Sequence, residues 1–288
     1  MRRLIVNADD FGLTTGVNAA VVELNRAGAL TSATLMATAN SFNEAVSDAK
    51  TLPSLGVGCH VVLVDGTPAL PADKIPSLID PSAPNNGQFR PKLSGFVTDL
   101  LRGRISDSEI EVEATAQIQK LKAAGIAVTH VDTHKHTHMF PRVLRPVLRA
   151  ARSAGIRNVR NPFEPAWSRN ATTHAPLLRR AQVRLLHTME KTFRRIVAEE
   201  GFATTDGSIG VLATGTLDAS TLDSLLQAMP DGTWELVTHP GYNDQALAHA
   251  GTRLLASRET ELAALRDISF PPDIELIHFG QLANSAPG

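Results

Sequence analysis

Short apolar runs alternate with amphipathic stretches along the chain. The run at 4–8 is rich in β-branched residues and ends in polar ones, which predicts a buried strand. Apolar residues spaced three and four apart predict a helix over 16–26, which Gly28 ends. By the same reasoning we predict strands at 32–37, 56–64, 127–133, 156–160, 208–212, 234–238 and 274–279, and helices at 43–50, 107–123, 141–154, 177–200, 221–228 and 253–266.

Seven or eight alternations of strand and helix predict parallel strands joined by helical crossovers. We therefore expect an α/β fold, an irregular TIM-like (β/α) barrel of seven or eight strands, formed by one domain over residues 1–288. Residues 65–91 interrupt the pattern with six prolines and the polar turn Asn85-Asn86-Gly87. This composition predicts a long loop excursion, and such loops often act as lids. Catalytic residues of barrels lie at the carboxyl ends of the strands.

Composition narrows the classes of function. The 288 residues carry 28 basic and 29 acidic side chains, which argues against a dedicated nucleic-acid binder. The single cysteine, Cys59, excludes an internal disulfide framework, and we expect it to pack outward against a helix. There is no phosphate-binding loop, no apolar run near the roughly 20 residues that cross a bilayer, and no signal peptide at the start. We expect a soluble cytoplasmic protein.

Ionisable residues collect at four of the predicted strand ends. They are Asp9-Asp10, His60, the segment His130–His138 and His239. Four of the ten histidines lie within that one nine-residue segment. The alternation of side chains along a strand places Asp132 and His134 on one face, and His130, His136 and His138 would share it if the chain stayed extended.

These residue types suit a metal site. Two adjacent carboxylates repel each other unless a cation keeps both ionised. Two imidazoles and one carboxylate can hold a divalent ion with open positions, which leaves the second carboxylate as a base. Each feature alone also has a simpler explanation: an acidic helix start for the doublet, a core histidine for His60, a solvated loop for the histidine run and a turn for His239-Pro240-Gly241. Their recurrence at successive strand ends favours a site.

The same residues resemble a known family. The motifs Asn7-Ala8-Asp9-Asp10-Phe11-Gly12, Gly58-Cys59-His60-Val61-Val62-Leu63, the segment from Thr129 to His138 and Thr238-His239-Pro240-Gly241-Tyr242 are similar, in order, to those of the YdjC-like carbohydrate deacetylases. The run Leu63-Val64-Asp65-Gly66-Thr67-Pro68 and the variant His134-Lys135-His136 resemble the hopanoid-biosynthesis-associated branch more than the chitooligosaccharide deacetylases.

The resemblance implies a TIM-like barrel and a role for each matched position. Asp10, His60 and His134 would bind one divalent ion, Mg²⁺ or Zn²⁺, and Asp9 would be the general base. His239 is the candidate acid. The remaining matched positions would lie behind the ligands or contact the sugar, and they are His136, His138 and Arg160.

The implied reaction is hydrolysis of an N-acetyl group from an amino sugar, either an oligosaccharide or a lipid-linked glycan. A metal-dependent phosphoesterase and a non-catalytic sugar-binding protein are the alternatives. The basic segment 177–200 could rest on a membrane surface, although a solvated basic helix face is the simpler interpretation. A homo-oligomer is left open.

Overall fold

The structure is a computed structural model that describes residues 1–83, 86–172, 175 and 177–282. Its strands are β1 (Arg2–Phe11), β2 (Ser32–Leu35), β3 (Gly56–Val61), β4 (Val131–Thr133), β5 (Gly207–Ile209), β6 (Gly232–Thr238) and β7 (Ile274–Leu276). Its helices are α1 (Thr15–Arg26), α2 (Phe42–Lys50), α3 (Leu93–Leu101), α4 (Asp107–Ala123), α5 (Pro141–Ser153), α6 (Ala166–Ala171), α7 (Leu177–Leu186), α8 (Glu190–Glu199), α9 (Ala219–Ala228), α10 (Gln245–His249) and α11 (Ala256–Arg266).

The strands form one parallel sheet in the order β4-β3-β2-β1-β6-β5, and β7 pairs with the first residues of β1. This topology confirms the predicted α/β class and gives a barrel-like fold. Most of the strands are shorter than predicted. The predicted strand at 156–160 contributes only two parallel bridges, from Val159 to Val131 and from Asn158 to Ala203.

The helices follow the predicted pattern closely. α4 has the predicted limits, while the predicted helix at 177–200 is divided into α7 and α8 by a 3₁₀ turn. The excursion at 65–91 contains a short 3₁₀ helix, Ala72–Lys74, and one antiparallel bridge between Ile79 and Phe89. Pro84 and Asn85 of this excursion lie outside the described residues. α3 follows the excursion and was not predicted.

Alternation along β1 separates two environments. Leu4, Val6 and Ala8 belong to the main hydrophobic core, together with apolar side chains of the surrounding helices. Ile5 lies on the opposite face in a small separate cluster, and Asn7 and Asp9 follow it on that face towards the carboxyl end. The inner face of the sheet therefore changes from apolar to polar along β1.

The side chains of Cys59 and His60 likewise point to opposite faces of the sheet. Cys59 is buried in the main core, as predicted, and burial raises the pKa of its thiol well above the usual range. No chemistry follows from a thiol in such surroundings. The imidazole of His60 faces the polar interior instead.

An irregularity at the end of β1 explains how both acids of the doublet can serve one site. Consecutive strand residues normally point to opposite faces. The pairing of β1 with β2 shifts register between Ala8 and Phe11, and Asp10 has a φ of 65° in the left-handed region. This bulge turns the Asp10 side chain back towards the side on which Asp9 lies.

The basic segment at 177–200 packs against the body of the protein. Phe193, Ile196 and Val197 of α8 are buried in the main core, and Arg194 pairs with Glu190 on the exposed face. The side chains of Leu178 and Leu185 lie outside the described residues. Within the described part of the chain, no helix has both the length and the apolar character needed to cross a membrane.

Candidate active site at the carboxyl ends of the strands

Three distant side chains converge beyond the carboxyl ends of β1, β3 and β4. The Oδ1 atom of Asp10 lies 3.3 Å from Nδ1 of His134 and 3.6 Å from Nε2 of His60. The two imidazole nitrogens are 3.3 Å apart. One donor atom from each residue lies within 4.8 Å of the others. Ligand atoms about 2.1 Å from a tetrahedral ion are about 3.4 Å apart, so the donor set and its spacing fit a divalent metal.

Asp132 orients His60. The two residues are paired in the β3–β4 register, and the Nδ1 atom of His60 lies 2.7 Å from Oδ1 of Asp132. This hydrogen bond leaves Nε2 free to face Asp10 and His134. Burial opposes a charge on His60, but Asp132, Asp9 and Asp10 together raise its pKa to about 9. A carboxylate behind a histidine is a common arrangement at metal sites, where it fixes the tautomer.

Four donated hydrogen bonds hold Asp9, three of them on Oδ1 and one on Oδ2. Arg160 donates to both of its oxygens, from Nη2 at 2.6 Å and from Nη1 at 2.9 Å, and Asn7 and Thr34 donate to Oδ1 at 3.0 and 3.2 Å. Burial opposes ionisation, but Arg160 and the neighbouring histidines hold the pKa of Asp9 far below its usual value. Asp9 is therefore ionised.

Arg160 is the centre of a buried charge network. Its guanidinium pairs with Asp9, Asp132 and Glu235, and it has no exposed surface. Burial raises the pKa of Glu235 to about 7 despite this contact. A side chain enclosed in this way supports its neighbours and cannot reach a sugar. Sequence reasoning missed Glu235, although an acid between Trp234 and Leu236 in an apolar strand was a usable signal.

His239 and helix α11 complete the site. The Nε2 atom of His239 lies 3.8 Å from Oδ2 of Asp9. Its backbone N–H donates to Glu261 at 2.6 Å, and its Nδ1 lies 3.8 Å from the same carboxylate oxygen. Arg258, one turn earlier on α11, donates to Oδ2 of Asp10 at 2.5 Å. Both α11 side chains are buried, and sequence reasoning found neither because their spacing on an amphipathic helix is ordinary.

The remaining histidines of the motif do not share one face. The chain leaves the strand after Thr133 and enters a 3₁₀ turn in which Lys135 and His136 have left-handed backbone angles. Continued extension, the condition under which His130, His136 and His138 would share the face of Asp132 and His134, is therefore not met. His138 is fully buried, and its ring nitrogens lie 2.8 Å from Thr133 Oγ1 and 3.2 Å from the Arg160 carbonyl oxygen. It has no surface to offer a sugar. His136 is partly covered, and burial lowers its pKa to about 3.

Two other contacts lie near the site. Lys135 donates from Nζ to Asp65 at 2.6 Å, which ties the start of the 65–91 excursion to the 3₁₀ turn. The ring of His130 stacks on Phe279 with centroids 3.8 Å apart. A Cβ at Gly58 would lie 2.4 Å from that ring, so the glycine makes room for it.

Comparisons with known proteins agree on one family. The model of the YdjC-like protein family matches residues 3–275. A carbohydrate deacetylase from Brevibacillus brevis is 33% identical over 286 residues, which cover 97% of this chain and 99% of that protein. A chitooligosaccharide deacetylase from Proteus mirabilis is 31% identical over 268 residues, 92% of this chain and 91% of that protein.

A solved structure shares the fold. A protein from Enterococcus faecalis V583 superposes with a TM-score of 0.70 over 96% of this chain and 97% of its own, at 22% sequence identity. At that identity the likeness concerns the architecture, and it agrees with the parallel barrel-like sheet described above.

Proposed function

The chain belongs to the YdjC-like protein family, and from this premise we propose that it is a metal-dependent carbohydrate deacetylase. The reaction is hydrolysis of the N-acetyl group of an amino sugar, with release of acetate and the free amine. The observation that carries the proposal is the convergence of Asp10, His60 and His134 around one point next to a second, ionised acid, Asp9.

Asp10, His60 and His134 would hold the divalent ion, Mg²⁺ or Zn²⁺. Such an ion polarises the amide carbonyl and brings the pKa of bound water to about 7. Arg258 occupies Oδ2 of Asp10, so Oδ1 is the oxygen left for the ion. Asp132 likewise engages Nδ1 of His60 and leaves Nε2. Asp10 and His60 thus each offer one selected atom.

Asp9 serves as the general base in this proposal. It is ionised at every working pH because Arg160 stabilises its negative charge, so it can always accept a proton. The depressed pKa makes Asp9 a weak base. Transfer of a proton from water to Asp9 therefore depends on a water whose own pKa is already lowered. Arg160 also fixes the direction of the carboxylate, since it binds both oxygens.

His239 serves as the general acid that protonates the departing amine. Its Nε2 atom lies on the Asp9 side of the site, 3.8 Å from Oδ2. Glu261 fixes the backbone of His239 through the N–H hydrogen bond and lies behind Nδ1. An imidazolium N–H can protonate a departing amine, which suits a histidine to this role.

The substrate class rests on the family and its named relatives. The relatives' names, carbohydrate deacetylase and chitooligosaccharide deacetylase, support an N-acetylated sugar, oligomeric or lipid-linked. The hopanoid-associated branch, membrane contact, a homo-oligomer and a cytoplasmic location stay predictions.

We also propose that the sheet closes into a complete (β/α) barrel formed by the chain as one domain. The backbone bridges of Asn158 and Val159 continue the sheet beyond β4. The opening to be closed lies between β4 and β5, the two ends of the sheet order. The N–H of Ser208 on β5 donates to the Phe163 carbonyl at 3.1 Å, which supports pairing on the β5 side of this opening. Closure would place Arg160 in the barrel interior.

Acetate release tests the proposal. Purified protein is incubated with N-acetylglucosamine oligomers, with and without a chelator, and acetate is quantified. We expect chelator-sensitive release, loss of both bound metal and activity in His60→Ala, and loss of turnover with retained metal in Asp9→Asn. The exposed Asp73→Asn is the matched control. Wild-type turnover in Asp9→Asn would refute the assignment of Asp9 as the base. Acetate release that is unaffected by the chelator would refute the dependence on a metal.

A further inference from the structure

A cavity separate from the metal ligands lies at the amino-terminal end of α11. Its volume is about 400 Å³, and its lining combines Arg179 and Arg253 with Thr214, Gly215, Thr216 and Ser257. None of these residues has a part in the proposed deacetylation. The volume is in the range of sites that bind small molecules.

Both arginines line this cavity. Among the described residues, neither guanidinium has a carboxylate within ion-pair distance. Arg179 is held in place by donating from Nη2 to the Val211 carbonyl at 2.7 Å and from Nε to the Leu212 carbonyl at 3.2 Å. Burial and the neighbouring Arg253 lower the pKa of Arg179, and Glu164 opposes this shift. Two like charges that are brought together, one of them held in place, favour the binding of an anion.

The start of α11 adds a third source of positive potential. Leu255 stands at the N-cap position and provides no side-chain cap, and its carbonyl accepts from the Arg258 N–H at 3.0 Å. No side chain at the N-cap therefore competes for the N–H groups of Ala256 and Ser257. Leu255, Ala256 and Ser257 line the same cavity. Unpaired N–H groups and the helix dipole both favour negative charge at this end.

We propose that this cavity binds an oxyanion, a phosphate or carboxylate group, through Arg179, Arg253 and the first turn of α11. The inference goes beyond the deacetylase function and does not depend on it. The cavity adjoins the catalytic centre through one residue: the Gly215 N–H donates to Glu261 at 3.3 Å, and Glu261 accepts from the N–H of His239. An anionic group on a bound sugar and a free anion could both occupy it.

Binding of inorganic phosphate to the full chain, measured by calorimetry, is the primary test. Arg253 is exposed, so Arg253→Gln leaves the fold intact, and the exposed Arg102→Gln removes the same charge elsewhere. We expect saturable binding that weakens about tenfold or more in Arg253→Gln and is unchanged in Arg102→Gln. Arg179→Lys, which keeps the charge but loses the fork geometry, should weaken binding as well.

A second measurement identifies the source of the anion. The KM for an N-acetylated sugar that carries a phosphate or carboxylate group is compared with the KM for the neutral sugar. A lower KM for the anionic sugar that Arg253→Gln abolishes supports an anion on the substrate. Equal KM values together with Arg253-dependent phosphate binding support a free anion. Phosphate binding that is absent, or equal in Arg253→Gln and wild type, overturns the proposal. Calorimetry needs no turnover, so this failure is distinct from failure of the deacetylase proposal.

Discussion

Replacement of Asp132 by Asn tests the orientation of His60 with almost no change in volume. In the wild type, Oδ1 of Asp132 accepts from Nδ1 of His60 and Oδ2 pairs with Arg160. The guanidinium only donates, so the amide oxygen of the asparagine must face Arg160 and its NH₂ group must face His60. Nδ1 then becomes an acceptor, and the ring proton moves to Nε2. That nitrogen is the one that faces Asp10 and His134.

The size of the effect follows from the charge that is removed. The rise in the pKa of His60 from 6.5 to about 9 corresponds to about 3 kcal/mol in favour of the protonated ring, and Asp132 is the strongest contributor to that rise. Loss of a carboxylate behind a metal-binding histidine costs about 10- to 100-fold in metal affinity or activity. We expect the loss in Asp132→Asn to be about 100-fold, the upper end of this range, because the tautomer of His60 is inverted as well.

Zinc affinity, measured by competition with a chromophoric chelator, gives the first readout, and kcat for acetate release gives the second. The control is Asp99→Asn, which removes the carboxylate charge from another aspartate–arginine contact, that with Arg90, away from the site. Circular dichroism and Tm establish that both variants fold. If folded Asp132→Asn bound zinc as tightly as wild type and kept its kcat, the proposed role of Asp132 in selecting the tautomer of His60 would be refuted.

Three further variants probe the surroundings of the site. His130 has a pKa lowered by burial to about 3, so the unfolded chain binds one more proton between about pH 6.5 and 3 and stability falls as pH drops through that range. In His130→Gln the slope of unfolding free energy against pH should decrease by up to about 1.4 kcal/mol per unit, and an unchanged slope would contradict this. Glu261→Gln should lower kcat with a smaller change in KM, since His239 loses its charged partner. A change in KM alone would count against a role of Glu261 in positioning His239. Asp65→Asn should raise KM by loosening the contact with Lys135, and an unaltered KM would show that the contact has no role in binding.

The elements that sequence predicted best are those whose signal is local. α4 begins and ends at the predicted residues because its apolar positions repeat at helical spacing and acids and lysines mark its two ends. Strand limits were less accurate. The apolar run at 56–64 continues past β3, whose pairing with β4 ends at Val61, because burial alone makes a segment apolar whether or not it belongs to a strand.

The residues of the site also differ in how far sequence alone predicts them. Asp9, Asp10, His60, His134 and His239 carry chemistry in their residue type, and the strand ends gather them at one edge. The left-handed φ of Asp10 and the bulge that redirects it depend on how β1 pairs with β2, so no local pattern announces them. Arg258 and Glu261 lie on a helix near the end of the chain and meet the site only through tertiary packing.

The balance of buried charge connects the metal to the stability of the fold. Five carboxyl groups of the site, those of Asp9, Asp10, Asp132, Glu235 and Glu261, are buried with two guanidiniums, those of Arg160 and Arg258. Without a cation, protons supply the missing positive charge, which agrees with the raised pKa values of His60, about 9, and Glu235, about 7. A divalent ion at Asp10, His60 and His134 would displace the proton of His60 and release it to solvent. Metal affinity should therefore increase with pH towards 9, and the bound ion should stabilise a network that otherwise depends on protonation.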